Sequence, residues 1–528
     1  MQLHGKNLIG GRISGRGTVS FQGVIAGSGE KIAPQFFEAT EDEVDEALRL
    51  AAEAFEKYRV QPPEKIAAFL DQIGEEIMGA GDELLRRANA ETALPESRLT
   101  GERARTVNQC KMFAELVREG SWVEARIDRA IPDRQPLPKP LLQRMLISIG
   151  PVIVFGASNF PLAYSVAGGD TISALAAGNP VVVKAHPAHP GTSEIVAGAV
   201  QAAAAATGMP TGVFSMLHGQ STEVGIRMVR HPAAKAVGFT GSLQGGRALF
   251  DAAAARPEPI PVYAEMGSTN PVFILPGALE RNLDALGQGL VQSVTLGLGQ
   301  FCTKPGLVFG IRGAAWEALE QLGAKLASEL PPGTMLHAGI CNRFQQSSAR
   351  AGAVSNVRVL GKSGGAPGSG QAVPIFFATD AATFQRNLLL EEEMFGPATL
   401  LVSCGSTEEL ETIARNLPGQ LTATIRGTDE DLARHKNLVR ILEQKAGRLI
   451  FNGFPTGVEV CPSMHHGGPY PATTAAHFTS VGTAAIQRFA RPICFQSFPD
   501  AVVPVELRRH NVRKIWRLVD GQFTKDDL

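Results

Sequence analysis

The chain has 528 residues, 44% hydrophobic and 19% charged, a makeup that suits a globular protein long enough for two or more domains. A formal net charge of −1 excludes a global field that would gather nucleic acid or an anionic membrane surface. The six cysteines (Cys110, Cys302, Cys341, Cys404, Cys461, Cys494) show no paired metal-type spacing and read as thiols of a reducing compartment, not a disulfide framework. The first ten residues lack the apolar run of a signal peptide, and no apolar stretch is long enough to span a bilayer, so a cytoplasmic location is expected.

Residues 1–40 read as short, glycine-punctuated strands. Thr40-Glu41-Asp42-Glu43 is a capping box; it opens a helix with Val44, Ala47, Leu48, Ala51, Ala52 and Phe55 on its apolar face. Helical patterns follow at 63–80, 82–92 and 101–118, punctuated by Pro95 and Gly101. The proline-rich run 126–140 reads as an extended linker, and 141–147 as a strand. From 150 the pattern changes to apolar runs alternating with helices: strands near 151–155, 181–184, 213–217, 236–239 and 262–265, then 271–275 and 307–311. Weaker strand signals recur at 357–360, 374–377, 399–402, 421–425 and 448–451. That alternation predicts parallel sheets covered on both faces, with ligands beyond the carboxyl ends of the strands. The run 491–496 reads as one more strand without an obvious partner.

Four places can carry chemistry. Cys302 lies in Gly299-Gln300-Phe301-Cys302-Thr303-Lys304-Pro305-Gly306. A cysteine is often a buried core thiol, but these glycines and the proline make a turn that exposes sulfur to a cleft, as a nucleophilic thiolate requires. Glu265 ends an apolar strand. It is either a solvated strand end or a general base whose pKa is raised by partial desolvation. Gly241-Ser242 follows a strand and opens a helix, whose free N–H groups can hold phosphate; the run lacks the G-x-G-x-x-G pattern. Asn159, in Ser158-Asn159-Phe160-Pro161, either caps a helix or donates its amide to an oxyanion.

Seven runs stand in a fixed order: SNFP (158–161), VVVKAHP (181–187), GFTGS (238–242), AEMG (264–267), GQFC (299–302), EEMFGP (392–397) and FNGFP (451–455). Together they resemble the aldehyde dehydrogenase superfamily over roughly residues 5–500. The resemblance implies an α/β fold with two Rossmann-like parallel-sheet domains and a small oligomerisation arm. It implies a coenzyme-binding domain from 1–128 and 149–266, a catalytic domain at 267–477, an arm from 129–148 and 478–500, and a C-terminal tail at 501–528. It implies Cys302 as the nucleophile, Asn159 with the Cys302 N–H as the oxyanion hole, and Glu265 as the base for thioester hydrolysis. It assigns Ser242 and Gly241 to the coenzyme pyrophosphate, Lys184 to the adenosine ribose, and Glu393 and Phe395 to the nicotinamide end.

Two departures stand out. Members specific for NAD often carry a glutamate three residues after the lysine; here that position is Pro187, which favours NADP, with NAD also usable and no metal required. After Glu265 the common Leu-Gly-Gly-Lys is replaced by Met266-Gly267-Ser268-Thr269. GQFCTKPG and the segment 464–473 resemble a narrower branch, the α-ketoglutaric semialdehyde (2,5-dioxopentanoate) dehydrogenases; the neighbouring branch takes long-chain aldehydes with NADP. A 2-oxo acid substrate needs a cation in its tunnel, and Arg105, with Phe160, is the expected contact. His465 and His466 read as a polar surface turn or as lining of the tunnel entrance. A homodimer or homotetramer is expected, with no nucleic-acid or membrane partner. A non-catalytic nucleotide-binding relative is the alternative of another class.

Overall fold

The computed structural model describes residues 2–528; Met1, the first residue of the expected coenzyme-binding segment, lies outside the described residues. Two seven-stranded sheets dominate. The first runs in the order Val262–Glu265, Ala236–Thr240, Val152–Phe155, Val181–Lys184, Phe214–Leu217, Asn7–Ile9 and Arg12–Ser14. Its first five strands are parallel, and an N-terminal hairpin closes the far edge antiparallel. Strands such as Val181–Lys184 are buried at every position, because helices cover both faces and no side can be polar.

The chain order reverses between Val152–Phe155 and Ala236–Thr240, which lie side by side. In an open parallel sheet that switch point leaves a crevice beyond the carboxyl ends of the strands. The loops emerging there are Gly156–Asn159 and Gly241–Ser242, which carry two of the expected site runs.

The second sheet runs Arg358–Lys362, Ile375–Asp380, Ala398–Cys404, Leu307–Ile311, Val272–Ile274, Gln420–Arg426 and Ala446–Phe451. All its neighbours pair parallel except the first pair. The turn holding Cys302 immediately precedes Leu307–Ile311, and the run holding Glu393 and Phe395 precedes Ala398–Cys404. The amino ends of the second sheet thus face the carboxyl ends of the first.

The helical preface follows its sequence signals with one shift. Thr40 and Glu43 form the reciprocal capping box at the start of Glu41–Tyr58. The helix expected at 101–118 instead begins at Glu96, directly after Pro95, and carries Gly101 in its interior. Proline fixes the entry, whereas one glycine costs a long helix only about 1 kcal/mol.

A third, five-stranded sheet orders Ala490–Gln496, Leu142–Ser148, Arg126–Asp128, Arg517–Val519 and Gln522–Thr524. The run 490–496 therefore has a partner within the chain: it pairs antiparallel with Leu142–Ser148 and stands at the end of its sheet among the described residues. The segment expected as a separate tail, 501–528, supplies the last two strands. It also buries Val503, Leu507, Ile515 and Val519 against Ile127 and Met145, so apolar burial holds it to the sheet. Among the described residues, no helix is long and apolar enough to cross a membrane.

Candidate active site

Cys302 sits on a turn that backbone geometry forces open. Gly297, Leu298 and Gly299 all take positive φ, at 55°, 55° and 65°. A Cβ at Gly299 would lie 2.2 Å from the carbonyl oxygen of Gly396, so only glycine lets the two runs approach. Asn270 fastens the turn from below: its Nδ2 donates to the carbonyls of Cys302 (2.8 Å) and Lys304 (3.0 Å). Lys304 is fully buried, and its ammonium donates to the carbonyls of Met394 (3.0 Å) and Ala398 (2.7 Å). It thereby ties the cysteine turn to the Glu393 run.

The unusual run after Glu265 finds its reason here. The Gln420 Oε1 accepts from the backbone N–H groups of Thr269 (2.8 Å) and Asn270 (3.0 Å), with the Ser268 hydroxyl 2.9 Å away. Ser268 Oγ also accepts from the Leu421 N–H at 3.0 Å. Small polar residues at 268–270 let one buried glutamine hold the floor of the cysteine turn. Gly267 has a separate reason, since a Cβ there would meet Glu393 Oε2 at 2.6 Å.

The histidine expected at a surface turn or tunnel entrance is instead central. His466 is 2% exposed. Its Nε2 lies 3.1 Å from Glu265 Oε2 and 3.5 Å from Cys302 Sγ. Ser480 Oγ donates to the same carboxylate oxygen at 2.8 Å. The loop reaches this position because residues 472–474 run along the edge strand Val262–Glu265: Met266 N–H donates to Ala472 O, and Thr474 N–H to Ala264 O. Nothing local in His465-His466-Gly467-Gly468 signals a pairing about two hundred residues back in the chain. Glu265, Cys302 and His466, which share no linear metal-type spacing, place their ligand atoms within 4.8 Å of one another.

The electrostatics correct one expectation. Burial does push the Glu265 carboxyl upward, but the charge and hydrogen bond of His466, then Ser480 and Cys302, bring it below the ordinary value. Cys302 goes the other way: burial, then the charge and hydrogen bond of Glu265 and the charge of Glu393, hold the thiol well above its usual range, and Arg105 opposes them. The free site therefore favours a carboxylate beside a protonated thiol.

Asn159 is buried, and its Nδ2 donates to the Gln300 carbonyl at 3.1 Å, which brings it alongside the cysteine turn. The helix Glu96–Glu119 presents Arg98, Glu102 and Arg105 at intervals of four and three, on one face. Arg98 donates to the Asn159 carbonyl at 2.8 Å and lies 5.0 Å from the Phe160 ring and 4.8 Å from that of Phe301. Glu102 Oε1 accepts from the N–H groups of Leu162 and Ala163. Arg105 donates to the Tyr164 hydroxyl at 2.6 Å and stands over the rings of Phe160 and Tyr164. Its Nε is buried without a partner. Sequence reasoning singled out Arg105 and Phe160 and placed His466 at a surface turn or tunnel entrance, but missed Arg98, Glu102, Tyr164, Lys304 and Ser480.

A cleft of about 380 Å³ opens beside Cys302. Its walls include Asn159, Lys184, Pro187, Gly241, Ser242, Glu265, Glu393 and Phe395. Ser242 Oγ accepts from the Gly245 N–H and caps the helix Leu243–Ala254, whose amino end borders the cleft and suits a phosphate. Lys184 is buried and donates to the Gly219 carbonyl; burial pushes its ammonium down to about 8, against the pull of Glu38. Burial raises the Glu393 carboxyl, and Lys304 opposes that shift. A helix amino end, an amine, and a carboxylate against a glycine fit the phosphates and ribose hydroxyls of a dinucleotide.

The comparisons with known proteins agree with this geometry. Residues 20–469 match the model of the Aldehyde dehydrogenase family. The chain is 49% identical over 523 residues to alpha-ketoglutaric semialdehyde dehydrogenase 2 of Azospirillum brasilense, covering 99% of this chain and 100% of that one. It is 43% identical over 525 residues to alpha-ketoglutaric semialdehyde dehydrogenase of Acinetobacter baylyi, covering 99% of each. Among solved structures, an E194S mutant of an aldehyde dehydrogenase from Bacillus cereus superposes with a TM-score of 0.80 at 22% identity, over 94% of this chain and 96% of that one. A thiol, a carboxylate and a dinucleotide-shaped cleft at the meeting of two parallel sheets thus have their explanation: this chain belongs to the aldehyde dehydrogenase family, enzymes that work with a nicotinamide coenzyme.

Proposed function

We propose that this enzyme oxidises 2,5-dioxopentanoate, the semialdehyde of α-ketoglutarate, to 2-oxoglutarate, with NADP as the preferred coenzyme and NAD also accepted. The observation that carries the reading is the full-length identity to two relatives that bear that substrate in their names. The Arg105 guanidinium adds physical support. It is close enough to Cys302 to pull on the thiol, and a guanidinium suits a substrate carboxylate. A long-chain aliphatic aldehyde would gain nothing from a half-buried cation at that wall.

In this reading Cys302 adds to the aldehyde carbon as the thiolate. Its proton has a short route, since His466 Nε2 stands between Sγ and the Glu265 carboxylate. The negative charge that develops on the aldehyde oxygen is met by the Cys302 N–H and the Asn159 amide, which exchanges the Gln300 carbonyl for it. Loss of one such donor costs about 10²–10³ in kcat in other enzymes. A bound nicotinamide dinucleotide supplies the acceptor for the hydride that leaves this carbon; Ser242 and Gly241 would hold its pyrophosphate, Lys184 its adenosine ribose, and Glu393 and Phe395 its nicotinamide end. Glu265, kept ionised by His466 and Ser480, then takes a proton from the water that hydrolyses the thioester. The non-catalytic alternative would have no use for a thiol, an imidazole and a carboxylate in contact.

We further propose a homo-oligomer, dimer or tetramer. Ala490–Gln496 and Ala446–Phe451 are edge strands of their sheets, and the second exposes Leu449 and Phe451 at 39% and 41%. Edge strands with apolar side chains invite pairing with a second copy. Light scattering should return a multiple of the 56.0 kDa chain mass; a monomer at micromolar concentration would contradict this.

Two kinetic measurements test the assignment. Arg105→Ala should raise KM for the oxo-acid semialdehyde by about 10–150-fold, the loss of a charged hydrogen bond worth about 1.5–3 kcal/mol. KM for a neutral aliphatic aldehyde should change little, and equal effects on both would refute the role. The coenzyme choice is read from pH. Lys184 is charged below its pKa of about 8 and neutral above it, so KM for NADP should rise as pH climbs through that value. KM for NAD, without a 2′-phosphate, should stay flatter, and parallel curves would remove Lys184 from 2′-phosphate recognition.

A further inference from the structure

Cys302, Glu265 and His466 invite a second ligand that the oxidation does not need. We infer that these three side chains form a binding site for a thiophilic divalent cation of the zinc class, and that its binding reversibly shuts off the nucleophile. The inference rests on donor chemistry and spacing and holds whichever aldehyde is the substrate.

The spacing is the first argument. A tetrahedral zinc with a sulfur bond of about 2.3 Å and nitrogen and oxygen bonds of about 2.0–2.1 Å separates sulfur from nitrogen by about 3.5 Å and nitrogen from oxygen by about 3.3 Å. Here Sγ to Nε2 is 3.5 Å and Nε2 to Oε2 is 3.1 Å. The three ligand atoms together span no more than 4.8 Å, so small side-chain adjustments close the set.

The donors and their surroundings are the second. Thiolate, imidazole and carboxylate are the ligand types zinc prefers, and three protein ligands leave a fourth position open. The cation's two positive charges are balanced by one thiolate and one carboxylate, and a buried site favours a neutral cluster. On binding, the Cys302 thiol gives its proton to solvent as the metal–sulfur bond forms, the proton on His466 Nε2 passes to solvent or to Nδ1 as the metal–nitrogen bond forms, and no electrons are transferred. Glu265 and His466 are 4% and 2% exposed, while half-buried Cys302 opens onto the cleft, which supplies the way in.

The imidazole can turn to it. His466 Nε2 donates to Glu265, but Nδ1 is buried without a protein partner, so no protein acceptor competes for the ring proton if it moves to Nδ1. Beside it is a void of about 20 Å³ lined by Glu265, His466, Ser480 and Arg488, with volume for one water that could accept from Nδ1–H when Nε2 turns its lone pair to a metal. Ser480 remains to orient the carboxylate.

The test uses the full chain and buffered zinc or cobalt(II). With cobalt, the wild type should show the near-ultraviolet charge-transfer band of thiolate ligation, one metal per chain by equilibrium dialysis. Zinc should slow alkylation of Cys302 by iodoacetamide and suppress turnover, and a chelator should restore both. Cys302→Ser should lose the band. The near-isosteric His466→Gln should weaken zinc binding by more than the about 10–100-fold that loss of a supporting partner costs. Thermal midpoints of both variants report whether they are folded. Cobalt bound without a sulfur band, zinc uptake unchanged in Cys302→Ser, or zinc that leaves wild-type alkylation untouched would overturn the inference; the alkylation arm needs no variant.

Discussion

The contact between His466 and Glu265 holds the carboxylate at the centre of this site below its ordinary value despite its burial. A buried carboxylate beside a buried thiol faces two forces of opposite sign. Desolvation pushes both groups toward neutrality, and mutual repulsion penalises ionising both. One imidazole at 3.1 Å from the carboxylate, with Ser480 on the same oxygen, decides the outcome in favour of the carboxylate. The thiol is left protonated until substrate or coenzyme alters the field. The carboxylate and the thiol are thereby left as a proton acceptor and a proton donor, and one imidazole touches both.

That contact depends on the scaffold at several removes. Strand Val262–Glu265 ends its sheet, so the segment 472–474 can bridge to its open edge and carry the 464–480 loop beneath the carboxylate. On the other side, the Cys302 turn is held by Asn270, by Lys304 and by the contact of Gly299 with Gly396. Gln420, at the start of a strand of the second sheet, holds residues 268–270. The helix Glu96–Glu119 completes the wall, with Arg98 and Glu102 fixing the Asn159 loop by its carbonyl and N–H groups. The thiol and the carboxylate thus come from different sheets, and each is fixed by hydrogen bonds to residues remote in sequence.

Much of this was legible in the sequence because it is local. Fully apolar runs such as Val181-Val182-Val183 announce strands buried on both faces, and Thr40 with Glu43 announces a helix start. Asn159, Glu265 and Cys302 each sit at the end of a regular element, and all three line the same cleft. What was not legible depends on distant pairing. His466 lies in a glycine-rich run that reads as a surface turn, and only the pairing with residues 264–266 buries it. The sign of the Glu265 shift followed from that same unseen neighbour. Residues 501–528 were expected only as a C-terminal tail, yet Leu507 and Val519 find an apolar partner in Ile127, nearly four hundred residues earlier. The Met266–Thr269 departure had no reason until Gln420 was seen to accept from it.

The most direct test of the account asks whether sulfur 302 carries the acyl group and carboxylate 265 removes it. Glu265→Gln would be mixed with 2,5-dioxopentanoate and oxidised coenzyme, quenched in acid, and mapped by mass spectrometry. The account predicts one equivalent of reduced coenzyme in a burst and a single acyl group on the peptide containing Cys302, persisting because hydrolysis has lost its base. A burst with no adduct, or an adduct on another side chain, would contradict it.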